Sequence, residues 1–256
     1  MKNLINVSLL VVAFVSGLAA QKPDSTAKHE VKGPPPAVKL PAAKDIADKY
    51  LKAIGGREAL LKHKSRFQTG TIELSPMGLK GTVEIYARSD NRSLTKINLA
   101  GVGEILDAFD GTGAWTSNPM QGSRVKEGNE LLQMKRTSTW AREANLDKYY
   151  SSMVVKGIEK VGDRDAYVFV GSSEGLPDDI LYFDTETGLM LRSDSIIISP
   201  EGQQATSTIY EDYREVDGVK SAFKIKAKTP AFEITTTLSE LKYDVPIEDS
   251  IFARPK

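Results

Sequence analysis

The chain has 256 residues, 34 basic and 34 acidic side chains, 40% hydrophobic residues and no cysteine. That is globular material with enough chain to bury a real core, and its zero formal charge argues against nucleic acid or an acidic membrane surface as the main partner. Without cysteine there is no disulfide, thiolate metal site, cysteine nucleophile or lipid-bearing cysteine. His29 and His63 alone are too few imidazoles for a usual metal site, so neither metal nor cofactor is expected.

Lys2, the apolar run at residues 9–15 and the small residues Ser16, Gly17, Ala19 and Ala20 have the layout of a secretory signal. The run is shorter than the ~20 apolar residues of a membrane span. Cleavage after Ala19 or Ala20 predicts an exported protein. Residues 21–40, closed by Gly33-Pro34-Pro35-Pro36, read as an extended tether, since proline removes donors and fixes φ. The folded domain is therefore placed at 41–256.

Ala43, Ile46, Ala47, Tyr50, Leu51 and Ile54 recur at helical spacing from Pro41 onward, and Gly55-Gly56 supplies a stop. One or two further helical turns are expected at 57–62. The period then falls to two, predicting strands at 66–75, 78–88, 92–99, 104–110 and 114–117 in an antiparallel meander. Residues 118–122 read as a loop and 127–150 as a helical insertion, whose apolar members must cover a sheet face. A second meander follows at 154–161, 166–172, 179–184, 189–199, 203–213, 219–228 and 231–243, with Asp217-Gly218 a good hairpin dipeptide. The expectation is a mainly β domain: one antiparallel sheet of about 11–12 strands under an N-terminal helix and a helical insertion.

No catalytic constellation emerges. In Asp178-Asp179 and Glu211-Asp212 neighbouring strand residues point to opposite faces, so neither pair converges on one ion, and both read as solvated strand edges. His63 reads as a surface or satisfied histidine. No helix begins directly after Gly101-Val102-Gly103 or Gly111-Thr112-Gly113, which argues against a phosphate cradle.

The informative run is Asp110-Gly111-Thr112-Gly113-Ala114-Trp115 followed by Asn118-Pro119. It resembles the Asp-Gly-x-x-x-Trp-x-x-Asn-Pro pattern of the LolA-like and LolB-like periplasmic lipoprotein carriers, matched by Asp110, Gly111, Trp115, Asn118 and Pro119. Three further pieces agree in order: Ala53-Ile54-Gly55-Gly56 before a strand reaching Gly70-Thr71; Asp217-Gly218-Val219-Lys220; and Ile247, Asp249 to Phe252 and Pro255. Together they cover about residues 40–256.

The resemblance implies an unclosed half-barrel whose concave apolar face, under a helical lid, carries acyl chains across the periplasm. It implies a lipid or acylated lipoprotein as partner, delivery at the inner or outer membrane, and a monomer. Val83, Ile85, Trp115, Leu131, Met134, Trp140, Phe169, Phe183 and Ile225, which lie on the insertion or alternate along strands, are then expected to line the cavity. Arg88 corresponds to the family's lid-latching arginine, although Ser89 stands where the family has proline. The chain also lacks the cysteine of LolB proper, and no extra C-terminal strand is expected after Lys256. Two alternatives stand beside a carrier: a small enzyme using the same cavity, and a non-catalytic envelope module that binds partners at its sheet edges.

Overall fold

Residues 39–255 are described in the structure, a computed structural model; the predicted signal segment, most of the tether and Lys256 lie outside them. Helix α1 (Ala43–Ala53) starts where the Asp45 carboxylate accepts the Ala42 N–H at 3.3 Å, and it buries Ile46 and Tyr50. Gly55, at φ +116°, reverses the chain into α2 (Gly56–Lys62). Six strands follow: β1 (Ser65–Ser75), β2 (Leu79–Arg88), β3 (Ser93–Leu99), β4 (Gly103–Phe109), β5 (Ala114–Asn118) and β6 (Gly122–Lys126). Next come α3 (Gly128–Thr137), a 3₁₀ turn at Arg142–Asn145 and α4 (Leu146–Tyr149). The remaining strands are β7 (Ser152–Val161), β8 (Arg164–Ser173), β9 (Leu176–Asp184), β10 (Met190–Ser199), β11 (Gly202–Val216), β12 (Val219–Lys228) and β13 (Glu233–Tyr243), and a 3₁₀ turn spans Asp249–Phe252.

All thirteen strands of the described residues form one antiparallel sheet, ordered β6-β5-β4-β3-β2-β1-β13-β12-β11-β10-β9-β8-β7. It does not close: β6 and β7 are its two edges. Strand β6 lies at the end of the predicted loop and was not expected. The Asn118 side-chain oxygen accepts the N–H groups of Met120 and Gln121 at 3.0 and 2.8 Å, and this turn sends residues 122–126 back along β5. The predicted helix over 127–150 is also broken. The Thr137 hydroxyl bonds back to the Met134 carbonyl at 3.2 Å, and Ala141 adopts a left-handed φ of +46°.

Strand register sorts the residues between two faces. The row Phe169, Leu181, Ser193, Thr208, Ala227, Ile234, Leu74 and Leu79 crosses the sheet on the face that α1 and α4 cover. There Ile46, Tyr50, Ile54, Leu146 and Tyr150 pack on Phe169, Leu181 and Phe183. The row Tyr86, Leu94, Ala108 and Trp115 lies on the opposite face, capped by Ile247, Ile251 and Phe252.

The motif segments pair off in space. Ile54-Gly55 meets Gly218-Val219-Lys220: the Lys220 N–H bonds to the Ile54 carbonyl at 2.9 Å, and a Cβ on Gly55 would lie 2.0 Å from the Gly218 carbonyl oxygen. The Trp115 indole N–H donates to the Phe252 carbonyl at 2.8 Å in a buried contact. Asp110 accepts hydrogen bonds from the Thr112 N–H and hydroxyl and the Gly113 N–H, fixing the β4–β5 turn. His63 is buried, stacked on Tyr243 with ring centroids 4.1 Å apart, and its Nδ1 lies 2.7 Å from the Asp244 carboxylate. It ties the end of α2 to the β1–β13 junction.

Two outcomes follow. Gly55→Ala combines a disfavoured φ with a backbone clash, so urea unfolding should show a loss of more than about 2 kcal/mol. Several carboxylates are held below their usual range. At Asp184, burial alone would push the group up, but hydrogen bonds from Thr187 and Glu186 and the Arg164 charge overcome it. Asp110 behaves likewise through Gly113 and Thr112. Their contribution is present above the ordinary carboxylate pKa of 3.8 and is lost as pH falls through the depressed values. Melting temperature should therefore drop steeply below about pH 4, and Asp184→Asn, less stable at neutral pH, should show a shallower drop.

Candidate functional site

Helix α3 leaves the β6 edge and crosses the covered face to β9 and β10. Its first turn is anchored by Glu130, whose carboxylate takes two hydrogen bonds from Arg124 on β6, both at 2.7 Å. Lys126 pairs with Asp107 on β4 at 2.6 Å beside it. At the far end Arg136 donates to Asp179 on β9 at 2.7 Å and to the Ser173 hydroxyl at 2.9 Å. Ser138, one residue past the helix, bonds to Ser93 on β3 at 2.7 Å.

Between these anchors Gln133 completes a strand. Strand β9 pairs with β10 only as far as Asp194, leaving Ile196 and Ile198 beyond it without a β9 partner. The Gln133 amide N–H donates to the Ile196 carbonyl at 2.7 Å, and its oxygen accepts the Ile198 N–H at 3.0 Å. Backbone groups that would otherwise demand water are satisfied by the helix. The helix is thus latched to both sides of the sheet by polar side chains.

Beneath α3 lies a cavity of about 310 Å³. Its apolar wall includes Met134, Leu146, Leu181, Phe183, Met190 and Ile197, and its polar wall includes Arg136, Arg142, Glu143, Tyr150, Asp179 and Tyr210. Gly171 opposes Asp179 across the β8–β9 pair, and the Tyr150 ring occupies the space a Cβ there would need, 2.6 Å away. From that seat the Tyr150 hydroxyl donates to Asp179 at 2.9 Å. Burial pushes the Tyr150 phenol up, and the Asp179 carboxylate pushes it further. It is a donor at neutral pH, not a base.

Of the residues expected to line the cavity, Met134 and Phe183 do so. Val83, Ile85, Phe169 and Ile225 share the covered face but lie away from this cavity. Leu131 sits half-buried on α3. Trp140 lies past the helix, with the Arg66 guanidinium 6.0 Å from its ring centre. Trp115 is on the opposite face, because alternation along β5 places its neighbour Thr116 in the row of Asp107 and Arg124. Arg88 is corrected too. It bonds to the Ile247 carbonyl at 3.2 Å, to Asp90 at 2.7 Å and to Asp249, while Arg92 reaches Asp249 at 2.9 Å. Both guanidinium groups hold the Asp249 carboxyl below its usual range. Arg88 therefore clasps the C-terminal segment over the Trp115 cluster and makes no bond to the helical insertion.

Asp179 also differs from its reading as a solvated acid: its side chain is 13% exposed and doubly bonded. The signal was present, since Asp179, Leu181 and Phe183 alternate onto the covered face. Asp212 and Glu211, by contrast, are engaged by Arg214 and by Lys224 and Lys226 at the surface. Among the described residues no group of three His, Asp or Glu side chains could hold a metal.

The open antiparallel sheet with a helix across its covered face is similar in fold to two solved structures. A LolA superfamily protein from Nitrosomonas europaea superposes with a TM-score of 0.54 at 14% identity, over 84% of this chain and 98% of its own. A protein of the DUF1329 family from Desulfovibrio piger does so with a TM-score of 0.54 at 17% identity, over 84% and 98%. No protein-family model and no curated protein matches the sequence. The shared property is the fold.

The latch assignment separates two variants. Replacing the pair as Arg136→Met with Asp179→Leu avoids orphaning a charge and should speed dissociation of a fluorescent apolar probe about tenfold, the scale of a charge-assisted bond. Arg88→Leu should lower the melting temperature by loosening the C-terminal segment and leave that rate unchanged. Stopped-flow displacement and a thermal melt read the two effects.

Proposed function

We propose that the protein is a periplasmic carrier or binding protein that holds a lipid, a lipoprotein acyl chain or another hydrophobic ligand under α3. The observation carrying this reading is the cavity of about 310 Å³ between α3 and the covered face. Each methylene removed from water there contributes ~0.8 kcal/mol. The volume is at the lower end of the range for small-molecule sites, which suits a single short chain in the closed form. Release requires only that the polar latches of α3 give way, with no covalent step. In this reading Met134 and Phe183 touch the ligand when closed, and Val83, Ile85 and Ile225 are reached as the helix lifts. The likeness of fold to a LolA superfamily protein supports it.

Export rests on the signal-like residues 1–20, followed by a tether at 21–40 and the domain at 41–256. No helix of the described residues is long and apolar enough to cross a membrane. Delivery would be to a partner at the inner or outer membrane. A second reading, catalysis in the same cavity, draws on the convergence of Arg136, Asp179 and Tyr150. Arg136 and Tyr150 both donate to Asp179, and Tyr150 is held protonated, which favours binding over proton transfer.

Native mass spectrometry of protein purified from a periplasmic extract tests the proposal. The expected result is a mass starting at Ala20 or Gln21 with a co-purified amphiphile, lost on heating. Ligand-free protein that also fails to take up an added apolar fluorophore would overturn the carrier reading, and an intact Met1 in the membrane pellet would overturn export.

A further inference from the structure

The cations at the cavity are not equally committed. Lys126 lies 2.6 Å from Asp107 and Arg136 lies 2.7 Å from Asp179, while Arg124, outside the lining, grips Glu130 through two bonds of 2.7 Å. Arg142 differs. Its Nη1 is 3.4 Å from the Tyr149 hydroxyl, its Nε is 3.5 Å from the Glu143 carboxylate, and its guanidinium carbon lies 5.6 Å from the Tyr149 ring centre. These are long contacts for a group with five N–H donors. Yet Arg142 lines the cavity and keeps 36% of its side chain accessible. The left-handed Ala141 and the 3₁₀ turn fix its backbone at the cavity wall.

A second shortfall points the same way. The buried Arg136 Nε–H has no acceptor. Arg142 and the Arg136 Nε–H thus offer donors that no short protein contact fills. The cavity lining carries no net positive charge: Asp107, Glu130, Asp179 and Glu143 stand against Lys126, Arg136 and Arg142, and Arg124 pairs with Glu130 from outside the lining. A free anion entering such a site would lose its hydration and meet Glu143 beside Arg142, with no net positive charge to compensate. An uncharged acceptor brings lone pairs without that cost. The apolar wall of Met134, Leu181 and Phe183 lies in the same cavity to take a short aliphatic chain.

We propose that the cavity selects amphiphiles whose head is a neutral carbonyl, an ester or amide rather than a free acid, with Arg142 as the donor to that carbonyl. This rests on the carrier reading above and narrows its ligand class. The volume equals that of about ten waters at ~30 Å³ each, so the segment enclosed in the closed state is on the order of ten heavy atoms.

The probes are methyl octanoate, octanoate and octane, titrated at neutral pH against the purified protein with the side-chain methyl signals of Met134 and Leu181 observed by NMR. Methyl octanoate should bind about tenfold more tightly than either of the others, the scale of one hydrogen bond from a charged donor. Arg142→Met should abolish the advantage of the ester over octane, and Arg142→Lys should keep part of it. Glu143→Gln, which removes the carboxylate beside Arg142, should raise octanoate affinity until it matches or passes the ester. Octanoate binding as tightly as the ester in the unaltered protein overturns the proposal. So does an ester advantage that survives Arg142→Met in a variant whose spectrum remains folded. In both cases octane binding leaves the carrier reading standing. If none of the three probes perturbs the cavity signals, the carrier reading fails and the ligand class with it.

Discussion

The pairing of β1 with β13 at the centre of the sheet governs the rest of the molecule. It joins the start of the domain to its end, from Arg66 opposite Tyr243 to Ser75 opposite Glu233. One meander then runs outward from β1 to β6, and the other returns inward from β7 to β13. The two edges of the open sheet are consequently consecutive in the chain. The segment between them must cross the whole covered face, and α3 is that crossing. A helical crossing over this face is thus a consequence of topology, and polar side chains anchor it.

The same constraint explains where the motif residues ended up. An open sheet has ends that can fray, and residues far apart in sequence close them. Gly55 packs on Gly218 with no room for a side chain, and Trp115 donates to Phe252 under the clasp of Arg88, Arg92 and Asp249. These contacts fasten the helical hairpin to the β11–β12 turn and the C-terminal segment to β5. They are structural supports on either side of the cavity, and none of them lines it.

The cavity itself is two-sided. Leu181, Phe183 and Met190 continue the apolar core that α1 and α4 cover, whereas Arg136, Arg142, Asp179 and Tyr150 bring charge and donors inside. In the proposed carrier reading the apolar wall would take the chain, the polar anchors would hold the helix and the donors would face the head.

Local patterning in the sequence was enough for both meanders, for α1 with its Gly55 stop, and for the presence of a helical crossing, because period and turn chemistry act over a few residues. It also carried the alternation that puts Phe183 on the covered face and sends Asp178 and Asp179 to opposite sides. Strand β6 escaped it, since Gly122-Ser123-Arg124-Val125-Lys126 has little apolar character and is held by Asn118 and by pairing with β5. Trp115 was read as cavity lining and Arg88 as the lid latch because an aromatic and an arginine at strand ends look the same in sequence whichever face they take. Only the tertiary structure decided that they hold the C-terminal segment while Arg136, Gln133 and Glu130 hold the helix. The physical reason is that pairing partners more than forty residues apart, such as Arg136 with Asp179, are chosen by sheet register and crossing geometry, which no local window contains.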